Sequence, residues 1–426
     1  MKIVFLLHNA YAIGGTVRTT LNLAAALADH HDVEIASMAR HLDEPRFTVD
    51  PRVTLVPLVD IRPYSPDLRD PAQLSPATDF PAEDRRHRQY SRLTDLRVRA
   101  YLARCDADVV IGTRPGINVY VSRFAPRRAL RIAQEHLRHD AHSKQLRKVL
   151  ARHYRTLDAL VTTTAADAAV YRARMKLPGV RVMSVPNIVP PAGVAPSDGT
   201  APVIAAAGRL SRGKRFDLLL EAFAKVAAKE PEWQLRIYGG GKQHDRLETL
   251  IQELRLTDRA HLMGPHTPIE EEFARASIVV SASEAESFGM TLVEAMRCGV
   301  PVVSTDCPLG PAEIITDGTD GRLVPVDDPD ALAEAVLDLT ADPALRRAMG
   351  RAALESARRY DPAPIIARYE HLFADLQETR LQRTWERGST RARTWLRRRV
   401  RSWKRATATP ARGAGNCASN HNQPAA

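Results

Sequence analysis

The stretch Ser283–Gly299, SEAESFGMTLVEAMRCG, decides the fold. The apolar run before it, Ser277–Ala282 (SIVVSA), reads as a short buried strand. Gly289 opens a helical spacing through Leu292, Val293 and Met296, and Gly299 with Pro301 stops it. Glu286 then falls on the strand-to-helix loop and Glu294 about one and a half turns into the helix. Eight steps of ~100° bring the two carboxylates to roughly one helical side, provided the loop starts the helix. The backbone N–H groups of Phe288, Gly289, Met290 and Thr291 stand at a helix start without intrahelical partners, a place for an anion or a sugar hydroxyl. Two surface carboxylates on an ordinary strand, loop and helix are the plainer alternative.

Length and composition widen the frame. The 426 residues suit two domains, and 44% hydrophobic content suffices for a core in each. Charge is uneven: residues 380–426 carry 12 of the 61 Lys/Arg and one of the 50 acids. The formal net charge of +11 therefore belongs to the tail, and residues 1–379 balance to zero. The folded body has no compositional reason to bind nucleic acid. No run reaches the ~18 apolar residues of a membrane span. KIVFLLHNA at the N-terminus is too short an apolar run for a signal peptide and reads as a first strand. Cys105, Cys298, Cys307 and Cys417 show no metal or redox spacing, which predicts an intracellular protein with reduced thiols.

In the first half, Lys2–Leu7 reads as a strand, Gly14-Gly15 as a loop, Thr16–Ala28 as a helix and Val33–Ala36 as a second strand. Glycines at the first turn of a βαβ unit bring backbone close to a phosphate at a helix N-terminus. The dinucleotide spacing G-x-G-x-x-G is absent, and two glycines serving only the turn explain the same residues. Pro57, Pro63, Pro66, Pro71, Pro76 and Pro81 mark a long irregular loop, a kind that tends to be functional or mobile. Glu83–Arg104 is predicted as one helix. Its seven arginines form either a solvated face or a face toward anionic lipid or a phosphate-bearing acceptor. Strands follow at Val109–Gly112 and Leu130–Ala133. His136, just beyond the latter, faces the crevice where open α/β sheets bind ligands, or else caps the next helix. His139 and His142 are three apart with no recognisable metal set around them, so no metal is expected.

Further strands are predicted at Leu157–Thr163 and Arg181–Val185, and Pro190–Pro202 (PPAGVAPSDGTAP) is a linker by composition. A second domain opens with strand Pro202–Ala207, the loop Gly208–Lys214 (GRLSRGK) and helix Arg215–Ala228. Arg209 offers a planar fork and Lys214 a mobile point charge, at a spacing and place that suit a diphosphate. A basic loop that merely caps the helix is the alternative. Strand Gln234–Tyr238 runs into Gly239-Gly240-Gly241, a turn that lets a ligand approach the backbone. Strand Arg259–Met263 ends in Gly264-Pro265-His266. After the central stretch come strand Pro301–Ser304, the loop Cys307–Pro311, strand Gly321–Val324 and helices Pro329–Leu339 and Pro343–Arg359. Tyr360-Asp361-Pro362 starts a last helix to about Gln377.

Glu286 and Glu294, with Phe288-Gly289 between them and LVEAMRCGVPVV overlapping the second, resemble the donor-site signature of retaining glycosyltransferases of family 4. Ser287 stands where that family usually has glycine. The resemblance covers roughly residues 1–377. It implies an α/β protein of GT-B architecture: two doubly wound Rossmann-like domains facing a cleft, with a C-terminal helix crossing back to the first. The domains would be 1–190 on the acceptor side, 202–360 for the nucleotide-sugar donor, and 361–377 for the returning helix. The implied reaction moves a sugar from a nucleotide-diphosphate sugar, UDP-sugar favoured, to an acceptor hydroxyl with retained configuration, in glycopolymer or glycolipid synthesis. By the same resemblance Arg209 and Lys214 neutralise the leaving diphosphate, with Gly14-Gly15 as the facing donor loop. Glu286 would bond sugar hydroxyls, Glu294 the nucleotide ribose, and His136 the transferred sugar and acceptor, while Gly264 adjoins the base. The catalytic set is thus His136, Arg209, Lys214 and Glu286. Donor contacts add Phe288, Gly289, Met290 and Thr291. The nucleotide sugar is a substrate; no cofactor or dedicated metal is expected. The acceptor would be a glycan, a polyol-phosphate polymer or a lipid-linked sugar.

The tail lies outside this resemblance. Within residues 380–405, Leu381, Trp385, Trp395, Leu396, Val400 and Trp403 fall within about 140° of a helical wheel, with most arginines opposite. Such a helix suits an anionic membrane surface, and Gly388-Ser389 is predicted to divide it in two. Residues 406–426 read as disordered. The expected location is the cytoplasm, peripheral at the inner face of the membrane. Three other readings stay open: a sugar-nucleotide epimerase or hydrolase of the same architecture, a non-catalytic scaffold at the membrane, and nucleic-acid binding resting on the tail alone.

Overall fold

A computed structural model describes residues 1–389. The apolar runs form two all-parallel sheets. The first holds β1 (Lys2–Leu7), β2 (Asp32–Ser37), β3 (Val53–Pro57), β4 (Val109–Gly112), β5 (Leu130–Glu135), β6 (Ala159–Thr162) and β7 (Arg181–Ser184), in the order β3-β2-β1-β4-β5-β6-β7. The second holds β8 (Val203–Ala207), β9 (Gln234–Tyr238), β10 (Ala260–Gly264), β11 (Ile278–Ser281), β12 (Val302–Thr305) and β13 (Gly321–Val324), in the order β10-β9-β8-β11-β12-β13. Parallel strands need crossover helices, which cover both faces, and near-continuous apolar strands are the result. Two apolar clusters accordingly flank each sheet. Strand order reverses between β1 and β4 and again between β8 and β11. At such switch points neighbouring loops leave in opposite directions and open a crevice beyond the strand ends.

Two segments tie the sheets together. The proline-rich linker is held along the second domain: Ser197 N–H donates to Cys298 O at 2.8 Å and Val189 N–H to Tyr360 O at 3.1 Å. Helix Pro362–Glu378 returns to the first domain, where Ile365, Ile366, Tyr369, Leu372, Phe373 and Leu376 enter the cluster of β1, β4 and β5. Gln134 at the end of β5 donates to Tyr369 Oη at 2.6 Å, and Arg181 pairs with Asp375 at 2.7 Å.

One predicted helix is corrected. The segment Glu83–Arg104 is α-helical only from Arg92 to Arg104, after a single 3-10 turn at His87–Gln89. Ser91 starts it, its hydroxyl accepting the Thr94 N–H at 3.2 Å while Asp84 turns the preceding chain by accepting Arg86 N–H at 2.9 Å. The arginines accordingly do not share one face. Arg97 pairs with Asp67 at 2.9 Å, and Arg99 pairs with Asp79 at 2.8 Å, as does Arg123 at 2.6 Å. Buried Asp95 also accepts the N–H groups of Thr78 and Asp79 at 2.6 and 3.0 Å. The proline-rich loop is therefore pinned. The returning helix ends at Glu378, as predicted, and after Thr379 residues 380–389 are helical up to the last described residue. Arg383 anchors that segment through Asp158 at 2.6 Å. The predicted apolar face through Trp395, Leu396, Val400 and Trp403, the predicted division at Gly388-Ser389 and the predicted disorder of residues 406–426 fall on or run into residues outside the described ones.

Candidate active site

Register places the polar residues of the first sheet. Leu6, Gly112 and Ala133 are hydrogen-bonded neighbours across β1, β4 and β5, so two or three residues further on His8, Arg114 and His136 emerge at one edge, beside the switch point. The three residues ending β5 are each committed differently. Gln134 reaches the returning helix, and Glu135 is buried, accepting from Asn118 Nδ2 at 3.3 Å and from the Tyr154 hydroxyl. His136 is half-buried, and its Nε2 atom is buried without a hydrogen-bond partner among the described residues. It caps no helix: Ser143 caps the following one, accepting Leu146 N–H at 3.1 Å. Burial, with the charge of Arg114 added, pushes the His136 imidazole down to about 4. Burial with Arg114 and Arg86 likewise pushes His8 down to about 3. Both rings stay uncharged near neutrality inside a field of arginines. His139 and His142 do not converge: His139 Nδ1 lies 3.0 Å from Asp140, and His142 Nε2 lies 3.4 Å from Glu135.

Gly14 is the cap of helix Gly15–Leu27, with φ of 163°, an extended conformation open to any residue. A Cβ on either Gly14 or Gly15 would meet nothing within 4 Å. Neither turn geometry nor internal packing requires these glycines. Absent side chains here leave the helix start open to the cleft.

At the second switch point, Gly208–Lys214 leaves β8 and the Ser283–Gly289 loop leaves β11, its neighbour. Lys214 Nζ contacts Glu286 Oε1, which also accepts from Ser283 Oγ at 2.8 Å. Among the described residues the other Glu286 oxygen has no hydrogen bond, so it is free for further donors. Gly289 caps helix Met290–Arg297 at φ of 107°, a left-handed conformation that demands glycine. The first intrahelical bond runs from Leu292 N–H to Gly289 O at 3.0 Å, leaving the N–H groups of Met290 and Thr291 ahead of it. The Phe288 side chain points away into the core, edge-on to Tyr360 at 5.5 Å. Its contribution to a donor would be its backbone. Gly310 lets that backbone close in, since a Cβ there would sit 1.9 Å from Phe288 O.

Gly239-Gly240-Gly241 makes a close approach, and the approaching group is the chain's own loop. A Cβ on Gly239 would lie 1.8 Å from Gly208 O, and one on Gly241 2.3 Å from Leu210 O. These glycines admit the neighbouring loop, and that loop carries Arg209. Arg209 itself is exposed, and its charge reaches Arg86 of the first domain, where burial, Arg114 and Arg209 all lower the guanidinium. Gly264, at φ of 75°, ends β10 with open space where a Cβ would stand, and its carbonyl accepts Gly239 N–H at 2.8 Å.

The two edges meet. Arg18, on the helix that follows Gly14-Gly15, contacts Glu270 and lies 3.2 Å from Glu294. Thr163 donates to Ser287 O at 2.7 Å, and Glu313 accepts the N–H groups of Ala165 and Ala166 at 2.9 and 2.8 Å. Glu294 is buried; desolvation lifts its carboxyl to about 7 against the pull of Arg18 and Lys214. Arg18, Arg86 and Arg114 were missed as site residues. The sequence offers Arg86 only as one of a row of arginines, on a solvated face or on one toward anionic lipid or a phosphate-bearing acceptor, and nothing local marks Arg18 or Arg114 as cleft residues. A position just past a strand at a switch point was the available signal.

Two open parallel sheets whose switch-point edges face each other, joined by a linker and a returning helix, define the GT-B architecture. Residues 193–356, which hold the second sheet, match the family described as glycosyl transferases group 1. An exopolysaccharide phosphotransferase of Streptomyces coelicolor is 35% identical over 395 residues, covering 89% of this chain and 41% of the relative. The chain thus spans less than half the length of that curated relative. A TarM variant of S. aureus in complex with fondaparinux, alpha-GlcNAc-glycerol and UDP superposes with a TM-score of 0.71 at 16% identity, over 87% of this chain and 99% of that one. HepE of Anabaena in complex with UDP and glucose superposes with a TM-score of 0.67 at 18% identity, over 88% and 100%. At these identities the likeness establishes the fold.

Proposed function

We propose that the chain transfers a sugar from a nucleotide-diphosphate donor, UDP-sugar in the first instance, to a hydroxyl of an anionic acceptor, with retention of configuration. The observation that carries this reading is Lys214 held on Glu286 at one switch point, with the uncharged His136 beside Arg114 at the other. Breaking the bond between the anomeric carbon and the diphosphate oxygen puts negative charge on the phosphates and positive charge on the sugar. Lys214, Arg209 and the N–H groups at the two helix starts offset the first. Glu286 orients sugar hydroxyls and faces the second. Glu294 accepts from the nucleotide ribose. His136 meets the transferred sugar and the acceptor as an uncharged imidazole. The departing phosphate takes the acceptor proton on the same face, which is the retaining course. The reaction calls for no resident metal or cofactor.

UDP in the TarM and HepE complexes supports the choice of base, and alpha-GlcNAc-glycerol in the former supports a polyol acceptor. Among glycan, lipid-linked sugar and polyol-phosphate polymer, Arg86 and Arg114 favour an acceptor bearing phosphate. Synthesis of a surface polysaccharide on the inner face of the membrane is the setting we propose. No helix among the described residues is long and apolar enough to cross a membrane.

The test is UDP release from a panel of UDP-sugars, with and without glycerol-phosphate oligomers, followed by NMR of the product linkage. Acceptor-dependent release and an alpha-linked product are expected. Release or isomerisation indifferent to acceptor would point to the hydrolase or epimerase instead. Lys214→Ala is expected to lower kcat by about 10²–10³. Its half-buried ion pair with Glu286 lies at the cleft and not in either apolar core, so the fold should persist. Near-normal turnover in this variant would remove Lys214 from the mechanism.

A further inference from the structure

At the opposite edge of the first sheet, where β5 and β6 begin, helical residues 380–389 close over a cavity of about 580 Å³. Arg127, Arg131, Arg155, Asp158, Arg380 and Arg387 line it. Among the described residues Asp158 is the sole carboxylate of the lining, and it is already shared: Arg383 lies 2.6 Å away, Arg387 3.2 Å and Arg131 Nε 3.8 Å. Arg155 donates to the main-chain carbonyl of Lys176, and Arg380 to those of Arg127 and Arg128. The Nε atoms of Arg131 and Arg387 are buried without a hydrogen-bond partner among the described residues. Burial holds Arg131 below its ordinary range, and the charges of Arg387, Arg127 and Arg380 act the same way against Asp158.

Like charges gathered around one carboxylate repel, and buried donors left unpaired are costly. A tetrahedral anion relieves both, because guanidinium forks match phosphate oxygens edge to edge. We propose that this cavity binds a phosphate ester. The span of β5 separates it from His136 by roughly 20 Å at ~3.3 Å per residue, so its occupant is neither the donor diphosphate nor the reacting hydroxyl. The site holds; it does not react. Leu381 and Trp385, 86% and 69% exposed on the same helical segment, set apolar surface beside the cations. That combination suits an anionic phospholipid headgroup, and a soluble phosphate ester shares the chemistry. The inference is independent of the sugar-transfer reading.

The experiment compares the full chain with an Arg127→Gln/Arg155→Gln double variant. Both residues are exposed and outside the candidate active site, so the two proteins should melt alike in the absence of phosphate. Inorganic phosphate at constant ionic strength is expected to raise the melting temperature of the wild type more than that of the variant. Co-sedimentation with phosphatidylglycerol/phosphatidylcholine vesicles is expected to weaken by roughly thirtyfold in the variant. Phosphatidylcholine alone should not distinguish them. Loss of vesicle affinity identifies a lipid headgroup, and loss of the phosphate response alone identifies a soluble ester. Equal responses of both proteins in both assays would overturn the proposal.

Discussion

His136 shows how a residue's chemistry is set by what surrounds it. A free imidazole is half-charged near pH 6.5, but burial and Arg114 bring this one down to about 4. It can therefore accept a hydrogen bond throughout the neutral range. Arg114→Gln removes the smaller of the two causes, so His136 should move part of the way back toward 6.5. The acid limb of the pH–rate profile is expected to shift upward in that variant, and His136→Gln should abolish the limb. An acid limb identical in wild type and Arg114→Gln would remove the coupling. The position of His136 past a strand end was legible in the sequence. Its charge state was not, because it depends first on burial and then on Arg114, 22 residues earlier and just past the neighbouring strand. Gly14-Gly15 was ambiguous in sequence between a turn and an open approach. The empty space around both Cβ positions favours the latter.

At the scale of elements, helix Met290–Arg297 carries its own electrostatic signature. Glu294 is displaced upward from 4.5 to about 7, chiefly by burial. For an acid raised on folding, the stabilising contribution is complete below the unfolded value near 4.5 and is lost as pH rises through about 7. A displacement of this size corresponds to on the order of 3 kcal/mol. Glu294→Gln keeps the shape and removes the titration. Wild type should therefore lose stability relative to the variant between pH 5 and 8, read as diverging melting curves across that range. Parallel curves would show that Glu294 titrates normally. This helix was legible because its start and stop are both written locally, in Gly289 and Gly299. The segment Glu83–Arg104 was not read correctly, because its polar run hides the start. The S-x-x-T pattern at Ser91–Thr94 was the local sign of a cap, and it outweighs the arginines that precede it. At Gly239-Gly240-Gly241 close approach was legible, and the approaching group is the chain's own loop.

For the whole molecule, the decisive feature is that the last described helices belong to the first sheet. The spacing of Ile365, Ile366, Tyr369, Leu372, Phe373 and Leu376 marks an amphipathic helix, but periodicity cannot say which domain receives its apolar face. That destination came from the family resemblance, and the structure places all six side chains in the first sheet's apolar cluster, with the helix packed on helix Gly15–Leu27 and β5. Burying each contributes roughly 1.5–3 kcal/mol, so together they rival the ~5–15 kcal/mol by which a domain is stable. The first domain should therefore fail to fold without them, whereas the second keeps its own two clusters and the Arg297–Asp361 pair at 2.5 Å. A chain ending at Asp361 is expected to protect β8 and β11 amides from hydrogen exchange and to leave those of β1 and β4 unprotected. Full protection of β1 and β4 in that chain would mean that the first sheet is complete before the returning helix arrives. The helix would then act as a tether between the domains. Loss of protection confined to the first sheet instead makes it a structural member of the acceptor side, so that each domain's stability depends on residues from both ends of the chain.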